Sequence, residues 1–146
     1  MFYRLLSGAI SGVAGGIPFG MMMSMMGSMK MIASMMGSQS TFVGWAIHLM
    51  ISAFIGASFA LALGAPGMSR RKTILRSTLY GAFWWFLGPL TMMPLMMGMP
   101  LAWNFTAMNA MMPSLVGHII FGLVLGWVFA RLNVTETNWV EQGQEG

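Results

Sequence analysis

His48 and His118 are the two histidines of the chain, and both lie in long apolar stretches. Reading every fourth residue through GWAIHLMISAFIGASFALALG gives Gly44, His48, Ser52, Gly56, Ala60 and Gly64. On an α-helix these positions form one slowly drifting ridge. The ridge returns as Ser114, His118, Gly122, Gly126 and Ala130 within SLVGHIIFGLVLGWVFA. Each imidazole therefore sits in a row of side chains small enough to let another helix approach closely in lipid. An ionisable side chain in that setting is costly, which makes it a candidate for function.

Three chemistries are open to this pair. A neutral imidazole can hydrogen-bond a carbonyl or serine of a neighbouring helix and so fix packing. Two imidazoles at one depth can ligate the iron of haem b, with the small flanking residues leaving room for a flat macrocycle. Combined with thioethers, which are soft ligands, they can hold Cu(I). The chain has 20 methionines, and Met22/Met26, Met92/Met96 and Met93/Met97 are i,i+4 pairs on common helix faces. The same holds for Met25/Met29 and Met31/Met35. Against the copper reading stands methionine's usual role as adaptable packing, and runs such as Met21-Met22-Met23 point in all directions.

Other chemistries are excluded by what is missing. The chain has no aspartate, and its three glutamates, Glu136, Glu141 and Glu145, all fall in the last eleven positions. No paired carboxylates exist for hydrolysis or for a carboxylate proton relay. With no cysteine there are no disulfides, thiolate metal sites or cysteine nucleophiles. No G-x-S-x-G elbow, phosphate-cradling loop or zincin motif occurs, so the chain is read as not an enzyme. No basic cluster is interleaved with aromatics, which argues against a nucleic-acid partner.

The elements that must carry these residues follow from composition. The 146 residues suit one domain; they are 57% hydrophobic and 7% charged, with a mean hydropathy of +0.73. Those values belong to a polytopic membrane protein. The N-terminal stretch MFYRLLSGAISGVAGG has a charge followed by an apolar run, but the run continues to about Met26, longer than a signal peptide's core, so it is read as a retained first span. Gly8, Gly12, Gly16 and Gly20 give that span a close-packing face, and Pro18 is expected to kink it. The Met-rich segment after it suits a continued or interfacial helix. The second span is expected over about 41–64 and stops at Gly64-Ala65-Pro66-Gly67. Arg70, Arg71, Lys72 and Arg76 form the one dense basic loop, which the positive-inside rule places in the cytoplasm. A third span is expected over about 73–97 and a fourth over about 113–132. Both termini are then cytoplasmic, in a membrane read as the bacterial inner membrane. The polar tail, 133–146, is expected to fray or lie on the surface.

An internal repeat runs through the chain at an offset of 70 or 71 residues. Gly16-Ile17-Pro18 is echoed by Leu87-Gly88-Pro89, Met25-Met26-Gly27 by Met96-Met97-Gly98, and His48, Gly56 and Phe59 by His118, Gly126 and Phe129. The expected fold is therefore an all-α membrane bundle of four transmembrane helices, made of two parallel-repeat helical hairpins, residues 1–70 and 71–132. Two spans per unit enter the membrane in the same orientation, so the relating axis lies along the membrane normal. That symmetry puts His48 and His118 at one depth, about two turns or roughly 10 Å below the outer surface.

This arrangement resembles small bacterial four-helix membrane proteins related to the YagU-like families. The likeness is carried by Gly44 to His48 with the small residues after it, by Gly81 to Pro94 with its Met-Met-Pro, and by Val116-Gly117-His118 through Gly126. It implies four helices and recurring histidines, and brings no activity with it. Two functions from different classes follow. One is a structural or accessory subunit that docks, in the bilayer, on other membrane subunits or on further copies of itself. The other is a haem b or Cu(I) binding protein using His48 and His118 with Met22, Met26, Met92, Met93, Met96 and Met97. A pore formed by oligomerisation is a weaker third.

Overall fold

The computed structural model describes residues 1–65 and 67–144, with side chains as far as Asn133. Pro66 of the expected stop signal and the side chains of the glutamate-bearing tail lie outside the described residues. All regular structure described is helical: α1 Phe2–Met25, α2 Met29–Ser34, α3 Thr41–Ala62, α4 Arg70–Leu87, α5 Met93–Met96, α6 Phe105–Ala110 and α7 Met112–Gln144, with a π-helical turn over Gly88–Met92 joining α4 to α5. α7 carries on through residues 133–144 of the tail rather than ending at Leu132.

Three helical segments are long and apolar enough to cross a membrane: Phe2–Met25, Thr41–Ala62 and Met112–Asn133. That is one fewer than the four expected. The stretch expected as the third span is divided. α4 begins with Arg70, Arg71, Lys72 and Arg76, which lower its apolar character, and the π-helical turn ends it at Leu87. The cause of that turn is local. Pro89 and Pro94 lack the N–H groups that an α-helix needs there, and the Met93 N–H bonds back to the Gly88 carbonyl, the wider spacing of a π-helix. The Thr91 hydroxyl donates to the Phe86 carbonyl at 2.9 Å, and Trp103 Nε1–H donates to Thr91 Oγ1 at 3.1 Å. Pro18, by contrast, is accommodated within α1, which stays one α-helix from Phe2 to Met25.

The two repeats end their first helices in the same way. Gly27 has φ +72° and Gly98 φ +66°. After each glycine the next N–H reaches back five residues, Ser28 to the Met23 carbonyl at 2.9 Å and Met99 to the Pro94 carbonyl at 2.8 Å. This is the glycine-terminated helix end that only an αL residue completes. Beyond it the copies diverge. α2 buries Met29, Ile32 and Ala33 against the start of α3, with Gly44 directly under the Met29 carbonyl, whereas α6 buries nothing.

Packing follows the small-residue ridges. α1 meets α3 where Gly8 and Gly12 face Gly56 and Ser52 backbone to backbone. α4 meets α7 where Ser77 and Gly81 face Gly122 and Gly126. α1 also packs on α7, Gly15 lying against the Phe121 carbonyl. The counterpart of that last contact is missing: α3 and α4 are not packed backbone to backbone. They are joined by side chains near the basic loop, Ser58 Oγ with Tyr80 Oη at 2.9 Å and Phe59 beside Tyr80. The bundle is thus a row, α3–α1–α7–α4, bent until its outer members touch at one end.

Candidate functional site

Where α3 and α4 part, they leave a cavity of about 280 Å³, close to the lower end of small-molecule sites at roughly 300–1,000 Å³. Its floor, on the basic-loop side, is the aromatic core of Phe59, Phe121 and Phe129 with Ile55 and Leu125, and Tyr80 and Trp84 packed against it. Exposed Phe54, Met92 and Met96 stand at its rim, so the opening faces sideways, between helices, toward the surroundings of the bundle.

His48 and His118 both line this cavity. Each is held by a backbone carbonyl, and differently. His48, on α3, places Nε2 2.9 Å from the Gly16 carbonyl of α1, while His118 places Nδ1 2.8 Å from the Ser114 carbonyl one turn earlier in α7. A carbonyl only accepts, so those nitrogens carry the protons. In the neutral rings the lone pairs are left on Nδ1 of His48 and Nε2 of His118. An imidazole whose N–H is anchored on a carbonyl is the usual outer support of a metal-binding histidine. Phe19 of α1 touches both rings, at centroid distances of 5.3 Å to His48 and 4.6 Å to His118, and its own ring is seated on Gly117.

That phenyl group bears on the haem reading. A bis-histidine haem needs a flat slot between the two imidazoles, and Phe19 occupies the space against both. No lysine or arginine lines the cavity to receive propionates.

The methionines divide. Met92, Met93 and Met96 line the cavity, whereas Met22, late in α1, and Met26, just past its end, do not, and Met97 is turned out at 45% exposure. Met23 and Met35 also line it; Met35 figures only in the pair Met31/Met35, which is outside the candidate ligand set, and Met23 in no pair. Their signal in the sequence is weak: Met23 sits in an unbroken methionine run near the end of α1, and Met35 is delivered by the fold of α2 over α3. The repeat partners of Met92, Met93 and Met96 are Met21, Met22 and Met25, all away from the cavity. The π-helical turn, which has no copy in α1, is the local difference between the two sets.

Of the packing residues, Gly8, Gly12, Gly16, Ser52 and Gly56 meet in the α1–α3 interface, Gly44 under α2, and Gly122 and Gly126 against α4. Trp84 is a further wall residue; its Nε1–H is buried without a hydrogen-bond partner among the described residues. Its neighbour Trp85 donates to the Met111 carbonyl at 3.0 Å. Among the described residues no three histidines or carboxylates gather as a metal cluster.

Compared with known proteins, the chain matches no family model, no curated protein and no solved structure.

Proposed function

We propose that this chain is a four-span integral membrane protein that works as an accessory, ligand-holding subunit, with the cavity between its two hairpins as the binding site. The observation that carries the proposal is the cavity itself: it lies where the repeats meet, and the histidine of each repeat is on its wall. Supporting four spans is the continuous helical path from Arg70 to Met96, α4 passing through the π-helical turn into α5, and the charged residues of that path all sit in its first two turns; a membrane tolerates prolines and a π-helical turn when side chains such as Thr91 recover the freed carbonyls. With the basic loop taken as cytoplasmic by the positive-inside rule, both termini of this four-span reading are cytoplasmic, and the membrane is read as a bacterial inner membrane. The cavity walls supply no carboxylate or nucleophile pair, so holding, rather than turnover, is the activity that the site suits. Kinship with the YagU-like families is part of the same proposal.

The absence of cysteine makes the test clean. Single cysteines at Ser38, Ser69 and Ala102 in intact cells should give Ser38→Cys and Ala102→Cys the same sidedness toward an impermeant thiol reagent, opposite to Ser69→Cys. Labelling of Ala102→Cys from the Ser69 side would remove the fourth span. Ser114→Cys, on the cavity wall, should react with a small thiol reagent and resist a bulky one; equal resistance to both would remove the cavity as a site.

A further inference from the structure

We propose that the ligand of this cavity is a soft monovalent metal ion, Cu(I), a step that rests on the reading of the cavity as a binding site. Apart from the hydroxyls of Ser52 and Ser114, the side-chain donors on its wall are of two kinds. The imidazoles offer lone pairs on Nδ1 of His48 and Nε2 of His118, because the other nitrogen of each ring is committed to a carbonyl. The thioethers of Met23, Met35, Met92, Met93 and Met96 supply the rest. Five of the eighteen wall residues are methionine, about twice the share in the whole chain, where it is 20 of 146, so the enrichment is at the cavity and not merely in the composition.

Neutral imidazole with thioether is the donor set that soft Cu(I) favours. The same set disfavours other ions. Hard cations need oxygen ligands, and no carboxylate occurs before Glu136. A structural zinc site needs four nitrogen, sulfur or carboxylate ligands, which the two imidazoles alone do not complete. Charge is also suited: a monovalent ion entering an apolar, lipid-facing cavity costs less to desolvate than a divalent one. The rings of Phe19 and Trp84 add π-faces toward which a bound cation is attracted. The sideways opening between α3 and α4, bounded by Met92 and Met96, lets the ion pass from thioether to imidazole without crossing the aromatic floor.

The test titrates the detergent-purified full chain with Cu(I) under anaerobic reducing conditions, in competition with a coloured Cu(I) chelator. One Cu(I) per chain is expected, displaceable by Ag(I) and unaffected by Zn(II). Methionine to leucine conserves volume and removes only the sulfur. The triple variant Met92→Leu/Met93→Leu/Met96→Leu should therefore keep its thermal stability and lose affinity by about ten-fold or more, as should His118→Ala. The control Met22→Leu/Met26→Leu should bind as the parent does. Binding that is equal in the triple variant and the control, or no Cu(I) retained against the chelator, overturns the copper assignment. If at the same time Ser114→Cys still reacts selectively with the small reagent, the cavity stands as a site and only its ligand has been misassigned; if it does not, both readings fall together.

Discussion

The adjacent tryptophans show how differently two like residues can be used. Trp85 is buried and spends its N–H on the Met111 carbonyl, tying α4 to the start of α7, while Trp84 lies against the cavity with its N–H unpaired among the described residues. A phenylalanine substitution should separate them. Trp85→Phe loses a buried hydrogen bond and is expected to cost about 1 kcal/mol more than Trp84→Phe in thermal or denaturant unfolding in detergent. Equal costs would mean that the Trp85 bond contributes nothing. His48 poses a similar comparison. Its bond crosses from α3 to α1, so His48→Leu gives up an interhelical contact worth roughly 0.6–2 kcal/mol, whereas His118 bonds within its own helix and His118→Leu is expected to cost less.

At the scale of the element, the α1–α3 interface depends on the absence of side chains. A Cβ on Gly56 would overlap the Gly8 carbonyl and the Gly12 backbone, and one on Gly12 would overlap the Ser52 carbonyl. Gly56→Leu is therefore expected to push the helices apart at a cost of roughly 3 kcal/mol or more, visible as loss of a monodisperse peak on size exclusion, while Met50→Leu on the exposed side of the same helix is silent. The αL glycines that close the first helix of each repeat make a matched pair. Gly27→Ala and Gly98→Ala each place a Cβ at positive φ where space is open, so both should cost about 1–2 kcal/mol through backbone strain alone, readable as similar shifts in Tm.

For the whole molecule, Phe19 is the joint between the two halves. It comes from α1, is buried at 7% exposure, rests on Gly117 of α7 and touches both imidazoles. Phe19→Ala should cost roughly 3–5 kcal/mol and enlarge the cavity. If the Tm falls no further than for an exposed Phe54→Ala, the row α3–α1–α7–α4 is not held at that point. The asymmetry of this row has a physical source. The sequence repeat pairs α1 with α4 and α3 with α7, yet of the two contacts that join the halves only α1 with α7 is closely packed, and the π-helical turn after α4 has no copy in α1. The outer pair is left joined by Tyr80 and Ser58 with a gap above them, and that gap is the candidate site.

Helix content, the small-residue ridges and the glycine-closed helix ends could be read from spacing because each is a local property: fourfold glycine spacing and a Gly after a Met-Met pair live within the chain itself. The long uninterrupted apolar runs pointed to helices rather than strands, since in lipid a helix satisfies its backbone within a single segment. Which methionines stand near the imidazoles was not legible. Met92 and Met22 are alike in their neighbours, and only the π-helical turn after Gly88 and the fold of α2 over α3 separate those on the cavity wall from those away from it. Nor could spacing reveal Phe19 against both histidines, or which nitrogen of each ring keeps its lone pair. Those depend on distances between helices, and such distances exist only once the helices have packed.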